Sequence, residues 1–133
     1  MTQAPTVNPV RRRLLVADDE PEIREIMQTI LEGMGHTVDT ASDGVEAKER
    51  LASGHYDLVL SDLRMPNMSG QELYAAIRNV NPELANRFVF VTADGVNPPS
   101  GEFLTRSGRR WLRKPFAIND LENLVSSALS SVV

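Results

Sequence analysis

The stretch Leu14-Leu15-Val16-Ala17-Asp18-Asp19-Glu20 places four apolar residues directly before three acids. A continuous apolar run of this kind is typical of a strand buried on both faces of a parallel sheet. Further strands are predicted along the chain, at residues 37–41, 58–60, 88–91 and 111–113. Segments with apolar residues at helical spacing separate them. This alternation predicts a doubly wound α/β fold, in which five helices cover both faces of a five-stranded parallel sheet.

The fourth predicted helix follows a stretch that contains two prolines. The sequence Asn97-Pro98-Pro99-Ser100-Gly101 precedes the fourth helix, and proline is tolerated only in the first turn of a helix. We therefore expect a shortened fourth helix over residues 101–107.

Residues 1–13 contain two prolines and end in three consecutive arginines. They are predicted to be a mobile leader to a single domain at 14–133.

Length and composition exclude several classes of protein. A chain of 133 residues accommodates one domain, and the absence of cysteine excludes disulfides, thiolate metal sites and cysteine nucleophiles. Acids outnumber bases by 18 to 14, which disfavours nucleic acid as a partner. No apolar run approaches the roughly 20 residues of a membrane span, and the N-terminus lacks a signal peptide. We expect a cytoplasmic protein without membrane contact.

Polar side chains follow the predicted strands where each strand ends. Asp18 and Asp19 follow the first strand, Asp62 the third, Thr92 ends the fourth and Lys114 follows the fifth. Taken singly, each has an ordinary explanation as a helix cap, a turn or a loop residue. Because the carboxyl ends of parallel strands meet at one edge of the sheet, we expect them to converge.

This convergence has a chemical consequence. Three carboxylates repel one another unless a cation joins them, and oxygen-only ligands suit Mg²⁺. One aspartate could then act as a nucleophile toward phosphorus, while Lys114 neutralises the transferring group and the Thr92 hydroxyl donates to it.

Four motifs carry a resemblance to a known family. They are Val16-Ala17-Asp18-Asp19-Glu20, Ser61-Asp62-Leu63-Arg64-Met65-Pro66-Asn67-Met68-Ser69-Gly70, Val91-Thr92-Ala93 and Arg113-Lys114-Pro115-Phe116. Together they resemble the receiver domain of bacterial two-component response regulators, including chemotaxis receivers. The resemblance extends from about Arg13 to the end of the chain. It implies a flavodoxin-like sheet with strand order 2-1-3-4-5.

The resemblance also implies a phosphoacceptor and a metal site. Asp62 would accept a phosphoryl group from a histidine kinase or a histidine phosphotransfer protein, in a self-catalysed reaction followed by slow self-dephosphorylation. Asp62 would also bind Mg²⁺, together with Asp19 directly and Asp18 largely through water. The backbone carbonyl of Arg64 would be a further ligand.

Two further residues of the matched motifs would hold the phosphoryl group. These are Thr92 and Lys114, and the resemblance implies a cis peptide bond between Lys114 and Pro115.

Three positions beside the site bear on switching and access. Trp111 stands where the family usually carries a Tyr or Phe that switches, so its larger indole either alters that motion or is a fixed aromatic. Arg64 and Asp94 lie two residues after Asp62 and Thr92, where they would govern the access of water. They would pair across the mouth of the site or form a loose surface pair.

These observations predict a phosphorylatable receiver domain that switches contacts with a downstream protein target, as a monomer or weak dimer. No output domain is expected in this chain. Two alternatives stay open, a receiver excised from a hybrid histidine kinase and a receiver-like binding module that is not phosphorylated. A phosphatase of the haloacid dehalogenase type is disfavoured, because it needs a second aspartate where this chain has Arg64.

Overall fold

The central sheet has the predicted number and order of strands. A computed structural model of the chain describes residues 11–131, and its five strands are all parallel in the order β2-β1-β3-β4-β5. The strands are β1 (Arg13–Ala17), β2 (Thr37–Ala41), β3 (Leu58–Ser61), β4 (Phe88–Thr92) and β5 (Trp111–Arg113). The predicted leader ends at Arg13, which begins β1, while residues 1–10 lie outside the described residues.

Six helices connect and cover the strands within residues 11–131, one more than predicted. They are α1 (Pro21–Gly33), α2 (Gly44–Ser53), α3 (Gly70–Val80), α4 (Pro82–Ala85), α5 (Pro98–Ser107) and α6 (Ile118–Ser131). The additional helix, α4, is a single turn between α3 and β4. It forms because the Asn81 side chain accepts a hydrogen bond from the Leu84 N–H at 3.2 Å, and Pro82 occupies its first turn.

The prediction of a shortened helix after β4 was wrong at its start. This helix, α5, begins at Pro98 and spans ten residues, rather than beginning at Gly101. Pro98 and Pro99 occupy its first turn, where a backbone N–H has no partner within the helix and a fixed φ favours helix formation. The two prolines therefore start the helix instead of delaying it. It ends at Ser107, and the C-cap residue Gly108 adopts a left-handed conformation with φ of 67°.

The hydrophobic core has two halves, one on each face of the sheet. Alternate residues of β1 point to opposite faces, with Leu14 and Val16 packed beneath α1 and α6, and Leu15 and Ala17 beneath α2, α3 and α5. Burial of each large apolar side chain stabilises the fold by roughly 1.5–3 kcal/mol. Among the helices of residues 11–131, none combines the length and apolar character needed to cross a bilayer.

Candidate functional site

The register of the strands brings two aspartates to adjacent strand ends. Ala17 of β1 pairs with Ser61 of β3, so Asp18 and Asp62 leave the sheet side by side. The Asp62 N–H donates to the Ala17 carbonyl at 2.9 Å, which extends the ladder by one residue. Both aspartate side chains are buried, at an edge where the buried strands give way to loops.

Lys114 lies at the centre of the acidic residues. Its N–H donates to the Thr92 carbonyl at 3.0 Å, and the peptide bond that follows it, to Pro115, is cis. The Nζ atom lies 2.6 Å from an Asp18 oxygen, 2.8 Å from an Asp62 oxygen and 3.0 Å from a Glu20 oxygen. One buried ammonium group therefore bridges three carboxylates.

The electrostatics of this cluster reflect burial and pairing together. Burial raises the pKa of Asp18 above its ordinary value, although hydrogen bonds from Lys114 and the Glu20 N–H oppose the shift. Burial alone would lower the pKa of Lys114, but hydrogen bonds to Asp18 and Asp62 outweigh it and raise that pKa. Lys114 therefore stays charged, and it supplies the fixed positive charge that a buried group of acids requires.

The acids that the structure groups differ in one member from the predicted metal ligands. Carboxylate oxygens of Asp18, Glu20 and Asp62 lie within 4.8 Å of one another, and Asp19 is not part of this group. Asp18 and Asp62 are buried, whereas Glu20 is exposed, as Asp19 is. Glu20 was not among the ligands predicted from the sequence, although it is the third acid of the run after β1. The only donors in the group are carboxylate oxygens, the ligand type that Mg²⁺ prefers, so these residues fit the predicted ion.

Thr92 is buried at the end of β4 and contributes a hydroxyl to the same edge. Its Oγ1 accepts a hydrogen bond from the Asp94 N–H at 3.1 Å. Within residues 11–131 the hydroxyl hydrogen has no acceptor, so Thr92 can donate to an incoming oxygen.

Arg64 and Asp94 pair across the mouth of the site. The guanidinium lies 3.2 Å from the carboxylate, and the Arg64 side chain is 70% exposed, so the ion pair contributes little to stability. Asp94 also accepts hydrogen bonds from the Ser100 hydroxyl and from the Asn97 amide. The Ser100 hydrogen bond, followed by the contact with Arg64, lowers the pKa of Asp94 below its ordinary value. At the Asp62 end, the Arg64 N–H donates to a carboxylate oxygen of Asp62 at 3.3 Å.

Trp111 lies beside the loop that follows β4. Its side chain is 38% exposed, and its ring packs on Gly95 so closely that a Cβ at position 95 would lie 2.2 Å from a ring carbon. The indole therefore requires glycine at this position. A tertiary contact of this kind leaves no signal in the sequence beyond the glycine itself.

Gly70 is a second glycine that the sequence analysis did not single out. It is the first residue of α3, and a Cβ there would lie 1.9 Å from the Asp62 carbonyl oxygen. Its N–H donates to the Leu63 carbonyl at 3.0 Å. This close approach joins the start of α3 to the backbone of Asp62.

A parallel sheet ordered 2-1-3-4-5, with buried aspartates, a threonine and a lysine at its carboxyl edge, defines the class of flavodoxin-like receiver domains. The response regulator receiver domain family matches residues 14–126. The chain belongs to this family, as the sequence motifs indicated.

Several proteins of the family are similar to this chain. The response regulator protein PilR of Pseudomonas aeruginosa is 34% identical over 119 residues, which are 90% of this chain and 26% of PilR. The sensor protein EvgS of Escherichia coli (strain K12) is 39% identical over 82 residues, which are 62% of this chain and 7% of EvgS. The chain thus spans about a quarter or less of the length of these two curated relatives.

A solved structure of a relative is also similar. The response regulator protein TrrA of Thermotoga maritima, crystallised in complex with Mg²⁺-BeF, has a TM-score of 0.77 and is 32% identical, covering 88% of this chain and 98% of that one.

Proposed function

We propose that this receiver domain accepts a phosphoryl group on Asp62 from a phosphohistidine of a histidine kinase or a histidine phosphotransfer protein. The observation that carries the proposal is the position of Lys114, whose Nζ lies 2.8 Å from Asp62 and 2.6 Å from Asp18. A nucleophile, a fixed positive charge and a free hydroxyl donor on Thr92 are the groups that phosphoryl transfer requires.

In the proposed reaction, a carboxylate oxygen of Asp62 attacks the phosphorus atom. A phosphorus–oxygen bond forms as the bond between phosphorus and the imidazole nitrogen breaks, and the nitrogen keeps the electron pair. Lys114 neutralises charge on the phosphoryl oxygens, and the Thr92 hydroxyl donates a hydrogen bond to one of them. Both residues are held by the backbone, because the Lys114 N–H donates to the Thr92 carbonyl.

Mg²⁺ is the cofactor of the proposal. Asp18, Glu20 and Asp62 form the carboxylate group that would hold it, with Asp19 and the Arg64 carbonyl as the further ligands that the family resemblance implies. When bound, the ion offsets negative charge on the acids and on the transferring phosphoryl group. The relative TrrA, with its bound Mg²⁺-BeF, supports this assignment.

Loss of the phosphoryl group is proposed to occur by attack of water on the phosphorus atom. We propose that the Arg64–Asp94 ion pair limits the approach of that water. Trp111 packs on the loop that carries Asp94, so we propose that it responds when Thr92 turns toward the phosphoryl group.

The pathway context has two candidates. The match to PilR favours a response regulator that contacts a downstream protein, whereas the match to the sensor protein EvgS favours the receiver of a hybrid kinase. In both cases the chemistry at Asp62 is the same. A receiver-like module that is never phosphorylated is the third candidate, and the contact between Lys114 and Asp62 argues against it.

The test is phosphorylation of the full chain with acetyl phosphate and Mg²⁺, followed by intact-protein mass spectrometry. We expect wild type and the control Asp120→Asn, altered at an exposed residue of α6, to gain the mass of one phosphoryl group. The variant Asp62→Asn should gain none. Equal labelling of Asp62→Asn would refute the assignment of the acceptor. Unlabelled wild type, both with acetyl phosphate and with phosphorylated candidate kinases, would support the binding module instead.

A further inference from the structure

A groove of about 510 Å³ lies between α3 and α5 and is lined by residues of both helices. Tyr74 of α3 and Phe103 of α5 line it, and their rings meet edge to face with centroids 5.7 Å apart. Each is only 6% exposed, so the two rings form a firm apolar floor. Gln71 and Asn79 provide polar groups at its sides.

The floor includes a polar group without a partner. The Tyr74 hydroxyl forms no hydrogen bond with any residue of the part of the chain that the structure describes. The hydroxyl oxygen is not among the buried side-chain atoms left without a partner, so it is open to water at the groove. An acceptor on a ligand in the groove would replace that water.

The rim of the groove is positively charged. Arg78 of α3 and Arg106 of α5 line it, and no acidic residue does. Neither arginine has an ion pair or a hydrogen bond within residues 11–131. Some other arginines have acidic partners, such as Arg13 with Asp39 at 2.7 Å. In a chain with a formal net charge of -4, the groove is therefore a local positive site.

We propose that this groove docks an acidic segment of a partner protein. An apolar side chain of that segment would pack on Tyr74 and Phe103, and its carboxylates would pair with Arg78 and Arg106. Arginine suits this role because its planar group binds carboxylates in a bidentate manner. The Tyr74 hydroxyl would donate to a carbonyl or carboxylate oxygen of the same segment. Docking does not depend on phosphorylation of Asp62, so it can be tested on the unphosphorylated chain.

The test uses ¹⁵N-labelled full-length chain and two synthetic peptides of equal length. One alternates glutamate and leucine around a central phenylalanine, and the other carries lysine in place of every glutamate. We expect the acidic peptide to shift the amide resonances of 71–79 and 103–107 in a saturable way, and the lysine peptide to leave them unchanged. Charge complementarity is the reason for this difference.

Variants separate the groove from general charge effects. Arg78→Glu with Arg106→Glu should weaken binding of the acidic peptide at least tenfold. The control pair Arg11→Glu with Arg113→Glu makes the same change in net charge at exposed positions and should leave binding within twofold. The pair Arg78→Gln with Arg106→Gln provides a milder change, and Tyr74→Phe removes only the hydroxyl. Urea unfolding of each variant checks that the fold is kept.

Three results would overturn the proposal. The first is an acidic peptide that produces no saturable shifts at 71–79 and 103–107. The second is equal binding by wild type and both groove pairs. The third is a set of shifts at the same residues that depends on protein concentration alone, because the occupant would then be a second copy of this chain.

Discussion

Replacing Gly70 with alanine tests the link between α3 and the phosphoacceptor most directly. The added Cβ would lie 1.9 Å from the Asp62 carbonyl oxygen and 2.9 Å from the Ser61 hydroxyl oxygen. The first of these atoms belongs to the backbone, so no side-chain rotation can relieve the contact. The start of α3 and the end of β3 must therefore move apart.

The size of the effect follows from the distances. A carbon atom in ordinary contact lies roughly 3.5 Å from its neighbour, so the two segments must separate by about 1.5 Å. Overpacking of a close-packed region costs about 1–3 kcal/mol of unfolding free energy. For a domain of this size, that corresponds to a fall in Tm on the order of 4–12 °C. A shift of this size at Asp62 should also slow phosphorylation by roughly 100-fold, because reacting groups must be closely aligned.

The measurements are urea unfolding and the rate of Asp62 phosphorylation by acetyl phosphate. Gly33→Ala is the matched control, because no atom lies within 4 Å of a Cβ there and the residue is the last of α1. We expect this control to be unchanged or stabilised by about 0.4–1 kcal/mol. If Gly70→Ala unfolds at the wild-type urea concentration and is phosphorylated at the wild-type rate, the reasoning from close approach is refuted.

Three other substitutions probe separate features. The Tyr56 hydroxyl donates to Asp39 at 2.6 Å, and this hydrogen bond together with Arg13 holds the pKa of Asp39 below its ordinary value. The ionised Asp39 therefore stabilises the fold above about pH 4, and this stabilisation is lost as pH falls through the folded-state pKa. In Asp39→Asn the unfolding free energy should therefore decrease less than in wild type as pH falls below about 4. An equal decrease in the variant and in wild type would contradict this. Arg64→Ala should change the unfolding free energy by less than about 0.5 kcal/mol, because the residue is 70% exposed, yet shorten the life of the phosphorylated state, measured by its decay after donor removal. Glu20→Gln should weaken Mg²⁺ binding in calorimetry relative to Glu22→Gln, and equal affinities would remove Glu20 from the ligands.

The sheet and its acidic edge could be predicted from local sequence because the three central strands, β1, β3 and β4, are apolar runs with a polar residue at the end. Burial on both faces of a parallel sheet imposes that pattern on central strands. The start of α5 could not be predicted in the same way. Pro98 and Pro99 are compatible with a delayed helix and with a first helical turn, and the structure places both of them in the first turn of α5.

The membership of the acidic group also depends on information beyond the local sequence. Asp18, Asp19 and Glu20 are consecutive, and which of them point inward depends on how the chain leaves β1 and enters α1. In the structure the buried Asp18 and the exposed Glu20 both contact Lys114, and Asp19 is not among the partners of Lys114. Lys114 itself is 94 residues away from Glu20 along the chain. Contacts over such separations are set by the tertiary fold.

The packing of Trp111 on Gly95 makes the indole an intrinsic fluorescent probe of this loop. It is the only tryptophan in the sequence, so indole fluorescence arises from one position. Gly95 directly follows Asp94, whose N–H binds the Thr92 hydroxyl oxygen, so the indole lies one short loop away from the proposed phosphoryl site. A change in the intensity or wavelength of its emission would follow Mg²⁺ binding and phosphorylation in real time, in a stopped-flow instrument and without any attached label.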